Sequence, residues 1–173
     1  MLTAIVIAFP EAAPVVDEWR ERTCADRPSI GIPPHVTLLF PFVPAEAVEE
    51  CLGDLGELIA ATRSFAASFR ELRRWPEMVY LAPEPPEPFV HLTETIVERW
   101  PDHPPYEGIH ETVIPHLTVA YGDGALLAEV EADVAPKLPI EAGADEVLLL
   151  EELEPEWVRW GERARFALRG ARQ

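Results

Sequence analysis

The spacing of apolar residues changes period several times along the chain. Residues 2–9, LTAIVIAF, form a nearly continuous apolar and β-branched run, which predicts a buried strand. From Pro14 to about Cys24, Val15, Val16 and Trp19 make a short helical stripe. The loop ADRPSIGIPP then delivers an apolar strand over about 35–42. Pro44 opens a helix through AEAVEECLGDLGELIAAT, whose apolar positions Val48, Leu52, Leu55 and Leu58–Ile59 keep helical spacing, although Gly53 and Gly56 weaken its interior. Alternation over 64–72 and the run MVYLA at 78–82 predict two strands. Phe89, Leu92, Ile96 and Trp100 mark a helix over 87–99. A strand over 113–121 and a helix over about 124–135 follow, then strands at 144–153 and 158–168 joined by a turn around Glu154-Pro155. Strands and helices recur comparably in both halves, as a weak internal duplication would leave them.

Three apolar runs carry the triplet His-x-Thr, where random placement of these residues gives about 0.2 occurrences. His91-Leu92-Thr93 falls in the predicted helix, where positions i and i+2 do not share a face, so it is set aside. The other two fall in predicted strands and repeat a longer frame, Pro34-His35-Val36-Thr37 and Pro115-His116-Leu117-Thr118. In a strand, i and i+2 point the same way, so His35 shares a face with Thr37 and His116 with Thr118. Two imidazoles with adjacent hydroxyls supply a proton acceptor, a proton donor and two hydrogen-bond donors for phosphate oxygens. Imidazole titrates near pH 6.5, so both of its forms are accessible at neutral pH.

Taken together, these residues resemble the 2H phosphoesterase superfamily, the two-histidine group that includes RNA 2′,3′-cyclic phosphodiesterases and the proteins named 2′-5′ RNA ligases. That group is marked by two H-x-[T/S]-x motifs, and here His35 and His116 stand 81 positions apart. The resemblance implies an α+β, bilobal fold of two antiparallel sheet lobes around a central cleft with helices outside. It also implies that residues 1–173 form a single domain of two pseudo-symmetric lobes, with both motif strands facing the cleft. By the same resemblance, the expected activity is a metal-independent phosphoesterase of 2′,3′-cyclic phosphates or 2′-5′ phosphodiester bonds, with His35, Thr37, His116 and Thr118 catalytic and no cofactor. The reverse reaction would join a cyclic end to a 5′-hydroxyl. The alternative is a non-catalytic nucleotide-binding module that keeps the fold.

Charge changes this picture. The net charge is −17, with 31 Asp and Glu against 14 Lys and Arg. A general RNA-binding surface is basic, because phosphate contacts dominate affinity. The acidic balance reads most simply as solubility; the sharper reading is a small nucleotide or an RNA end held locally as the partner, and no DNA, no membrane and a monomeric protein are expected. Arginine dominates the cations, with clusters at Arg70, Arg73 and Arg74 and along the C-terminal fifteen residues. Arg163 and Arg165 from that cluster, with Tyr121 after the second motif, are the candidate substrate contacts, since Arg pairs phosphate in a bidentate fork and an aromatic ring can stack a base. His103 and His110 read as loop residues, and Trp75, Trp157 and Trp160 as core or cleft wall. Two cysteines, Cys24 and Cys51, make neither a disulfide framework nor a metal site, and no third ligand completes a zinc set with the histidines. The start lacks a basic leader and is too short to span a bilayer, so a cytoplasmic protein with reduced thiols is expected.

Overall fold

A computed structural model describes residues 1–23, 31–109, 113–154 and 159–171. Twelve main elements are described: β1 Thr3–Ala8, α1 Ala13–Thr23, β2 His35–Leu39, α2 Val48–Ala61, β3 Phe65–Trp75, β4 Met78–Glu84, α3 Glu87–Arg99, β5 Leu117–Tyr121, α4 Gly124–Val134, β6 Ile140–Ala144, β7 Glu146–Glu154 and β8 Arg159–Ala167. The strands make one antiparallel sheet in the order β6-β3-β4-β5-β2-β1-β7-β8. The two expected lobes correspond to its two four-stranded halves, β6-β3-β4-β5 and β2-β1-β7-β8. They meet where β2 pairs with β5 through Val36 and Leu117. The α+β class is borne out.

Burial separates the faces of the sheet. On one face Ile5, Ile7, Val36, Leu38, Leu81, Leu117 and Val119 join residues of all four helices, such as Val16, Leu55, Leu92 and Val130, in the main core. Complete burial of each such side chain contributes about 1.5–3 kcal/mol. The other face carries two small apolar clusters, one in each half. Ala4, Val6, Leu148, Leu150 and Trp160 form the first, and Met78, Tyr80 and Ala82 the second. The seam between the halves lies between these patches. No helix of the described residues is long and apolar enough to cross a membrane.

Several elements depart from the sequence reading. Helix α2 runs unbroken through Gly53 and Gly56, and an added Cβ at Gly56 would meet the Phe166 ring in ordinary contact at 3.4 Å. Pro44 stands before a 3-10 turn (Ala45–Ala47) that leads into α2, and does not start the α-helix itself. Strand β5 begins at Leu117, later than expected, since residues 113–116 lie outside the strand. Strand β6 was not anticipated. Its sequence, IEAGA, has too few apolar positions to show a period, and its pairing with β3 provides the signal instead. The expected turn at Glu154-Pro155 and residue Cys24 lie outside the described residues or their side chains. Cys51 is a free, buried thiol of the α2 core.

Candidate active site

The two His-x-Thr segments meet at the seam. In an antiparallel ladder, counting outward from the Val36–Leu117 pair sets His35 opposite Thr118 and Thr37 opposite His116. Val36 and Leu117 are fully buried on the helix side. The alternating pleat therefore puts both histidines and both threonines on the opposite face, where all four are half-buried. His35 is aligned with Ala8 and Thr37 with Val6 across β1, and Thr118 with Tyr80 across β4.

Each imidazole is held in the same way. His35 Nδ1 lies 2.8 Å from the Pro33 carbonyl oxygen, and His116 Nδ1 lies 2.7 Å from that of Ile114. A carbonyl only accepts, so Nδ1–H donates in both rings and the neutral form keeps a lone pair on Nε2 for the cleft. The proline frame explains the repeat: the chain enters each histidine extended, with the carbonyl two residues back turned toward the ring. On the His35 side this loop is clamped from below. Buried Arg20 of α1 donates to the carbonyl oxygens of Ile32 at 3.0 Å and Pro33 at 3.4 Å, and pairs with Asp17 at 3.1 Å. Gly31, at φ +91, approaches the β8 backbone so closely that a Cβ there would lie 2.6 Å from the Trp160 oxygen. Around His116 the support is aromatic, with Trp75 at 4.9 Å and Tyr80 at 5.7 Å between ring centroids.

Burial lowers the pKa of both rings. His35 falls to about 4, mainly by burial and also by the positive charges of Arg20 and His116, against the opposing effect of the Pro33 hydrogen bond. His116 is also lowered by burial, partly offset by its bond to Ile114. Thr118 donates its one hydroxyl hydrogen to Met78 Sδ at 3.5 Å, a weak acceptor that it can exchange for a phosphate oxygen by rotating.

Two cavities flank the seam. One, about 430 Å³, is lined by His116, Trp75, Met78, Tyr106, Tyr121, Val113 and Ile114. Tyr106 holds a left-handed backbone at φ 50, which is costly for a non-glycine residue and is fixed by its amide donating to the Phe40 carbonyl at 2.6 Å. The other cavity, about 370 Å³, borders Pro33 and Ala8 on the His35 side and is walled by Glu146, Glu162 and Arg165. The site thus gathers His35, Thr37, His116 and Thr118 at the seam, Tyr121 in one flanking cavity and Arg165 in the other. It does not gather Arg163, whose guanidinium pairs with Glu49 of α2 and with Glu151 at 3.7 Å. His91 is exposed on α3, while its neighbour Thr93 is buried and donates to the Leu38 carbonyl at 2.9 Å, bracing the end of β2. His103 packs edge-on to Phe42 at 6.2 Å. His110 and Trp157 lie outside the described residues. The sequence reading missed Arg20, Tyr80 and Tyr106. Arg20 was readable in retrospect as a charge on the apolar stripe of α1. No group of three or more His, Cys, Asp or Glu among the described residues is placed to hold a metal ion.

With this geometry established, comparison with known proteins places the chain. Its sequence matches the profile of the 2'-5' RNA ligase superfamily over residues 8–156. The chain belongs to this superfamily. Solved structures agree in fold. LigT of E. coli complexed with 3'-AMP superposes with a TM-score of 0.65 at 18% identity, covering 96% of this chain and 97% of that one. TT0787 of Thermus thermophilus gives 0.64 at 22% identity, covering 99% and 100%. LigT complexed with NADP+ gives 0.61 at 18% identity, covering 97% of each. No curated protein matches the sequence. Membership in the superfamily agrees with the resemblance carried by PHVT and PHLT, and the seam where they meet is the candidate active site.

Proposed function

We propose that the protein is a metal-independent phosphoesterase that opens 2′,3′-cyclic phosphates, or cleaves 2′-5′ phosphodiester bonds, of small nucleotides or RNA ends. The observation that carries this reading is the crossed arrangement at the seam. Each histidine faces the other motif's threonine, and each keeps Nε2 available because Nδ1 is committed to a carbonyl. A phosphate seated between them has one imidazole on either side, as an in-line displacement requires. His35 takes the role of base, because its depressed pKa keeps it neutral across the neutral range. It accepts a proton from water as the water oxygen bonds to phosphorus. His116, protonated, gives its Nε2 proton to the departing ribose oxygen as the phosphorus–oxygen bond breaks. The bound phosphate's negative charge raises the pKa of the adjacent imidazolium and so helps to load that proton. Thr37 and Thr118 donate to the non-bridging oxygens as their charge grows. Each positioned acid or base contributes about a hundred- to ten-thousand-fold.

The E. coli relative's structures with 3'-AMP, ATP and NADP+ support a nucleotide ligand for this fold. The test is hydrolysis of adenosine 2′,3′-cyclic phosphate in the presence of EDTA, followed by product analysis for the nucleoside monophosphate. Turnover in chelator supports the two-histidine mechanism. Loss of activity with EDTA and recovery with a divalent ion rejects it. Binding of the nucleotide without turnover across a panel of cyclic phosphates makes the protein a binding module instead.

A further inference from the structure

The two walls of the site differ in charge, and among the described residues neither offers a track for a phosphate chain. Arg165 is the one cation lining either cavity among the described residues, and it is doubly engaged. Its guanidinium meets Glu146 at 2.8 and 2.9 Å and Glu162 at 3.0 and 2.6 Å. Two carboxylates against one guanidinium leave that wall negative. The β3 arginines, none of which lines the other cavity, are matched as well: Arg73 with Glu71 at 2.5 Å, Arg74 with Glu131 at 2.7 Å, and Arg70 with Glu84 and Glu141 at 3.4 and 3.2 Å. A guanidinium already forked onto carboxylates must surrender those bonds to take a phosphate. The His116-side cavity presents rings instead, from Trp75, Tyr106 and Tyr121. Flat apolar walls hold an unpaired base by stacking, independently of backbone charge.

Resting on the reading above, we infer that the physiological substrate is a nucleotide with a single phosphate, its base seated among Trp75, Tyr106 and Tyr121, and that the acidic wall by Arg165 selects against polyanionic RNA. Among the described residues, the seam between the histidines is where the site accommodates a phosphate's negative charge. Additional phosphates running toward Pro33 meet Glu146 and Glu162, and like charges a few ångström apart repel most strongly at low salt. A protein that grips an RNA chain instead binds more weakly as salt rises.

The experiment compares adenosine 2′,3′-cyclic phosphate with a ten-nucleotide RNA ending in the same cyclic adenosine, from 20 to 500 mM NaCl. The expected kcat/KM is at least tenfold lower for the RNA at low salt, with the gap closing as salt rises. Replacing both wall carboxylates (Glu146→Gln with Glu162→Gln) should raise the RNA-to-mononucleotide ratio several-fold. Equal or better use of the RNA at low salt, or an RNA rate that falls with salt, overturns the inference and leaves the phosphoesterase reading standing. Tyr121→Ala should raise KM for the adenosine substrate about tenfold or more, but not for ribose 2,3-cyclic phosphate, which has no base. An equal effect on both overturns the base seat. Direct titration of 2'-AMP against an RNA with a terminal 2'-phosphate provides the same comparison without turnover. Failure of all hydrolysis therefore removes the enzyme reading, while the binding data still decide the charge selection.

Discussion

His35 couples the site to the stability of the whole protein. Its folded pKa is about 4 against an ordinary value of 6.5. At about 1.36 kcal/mol per pH unit, this difference amounts to at most about 3.4 kcal/mol. The sign follows from proton counts. Between pH 6.5 and 4 the unfolded chain binds a proton at this residue and the folded chain does not, so stability falls as the solution is acidified. Above 6.5 both states are neutral and the contribution is constant; below 4 the full amount is lost. The perturbation is His35→Gln, which removes the titration and retains a side-chain amide able to donate to Pro33. Urea unfolding of both proteins at half-unit steps from pH 4 to 7.5 isolates this residue from the carboxylates, which are common to both. The difference between the two stabilities should change by about 2–3 kcal/mol over that interval, with the variant relatively more stable in acid. The same titration should appear as the acid limb of kcat/KM, with the alkaline limb set by His116 below 6.5. Parallel stability curves for the two proteins would refute the buried, neutral state assigned to His35.

Four further outcomes are expected. His35→Ala and His116→Ala should each lower kcat about a hundredfold or more with little change in KM, and together less than the product of the singles, as steady-state kinetics would reveal. Thr37→Ala and Thr118→Ala should each remove about 1.5–3 kcal/mol of transition-state stabilisation, measured as kcat/KM. Arg20→Gln withdraws a buried guanidinium from the Ile32 and Pro33 carbonyls. It should lower stability by about 1–3 kcal/mol in urea and move the acid limb of the pH profile upward, because one positive charge near His35 is gone. Gly31→Ala should destabilise by about 1–2 kcal/mol or more from its left-handed backbone alone, read as a lowered urea midpoint.

The candidate quartet of two histidines and two threonines was legible because its signal is local. The i,i+2 spacing inside an apolar strand fixes a common face, and the repeated Pro-His-x-Thr frame tells the strand copies from the helical one. Helix α3 was legible for the same reason, since Phe89, Leu92 and Ile96 all reach the core. What the sequence hid depends on distant pairing. Arg163 and Arg165 look alike in RWGERARF, yet the carboxylates that take them up differ. Arg163 meets Glu49 of α2, whereas Arg165 lies opposite Leu148 on the site face between Glu146 and Glu162. An excess of arginine therefore looked like available positive charge until its carboxylate partners were located. The short strand β6 was hidden for the same reason: it gains its meaning from β3, far back along the chain.

Counting outward from the Val36–Leu117 pair, exchanging the two motif segments puts each histidine and threonine on its counterpart. A reaction centre of this kind has no inherent front or back. Polarity comes from the surroundings: burial beside Arg20 on one side, rings on the other. Transplanting the flanking residues while leaving all four central side chains untouched should therefore turn the substrate end for end and exchange the work of the two imidazoles. In such a scaffold, new specificities can arise through changes in the walls while the chemistry between them stays in place.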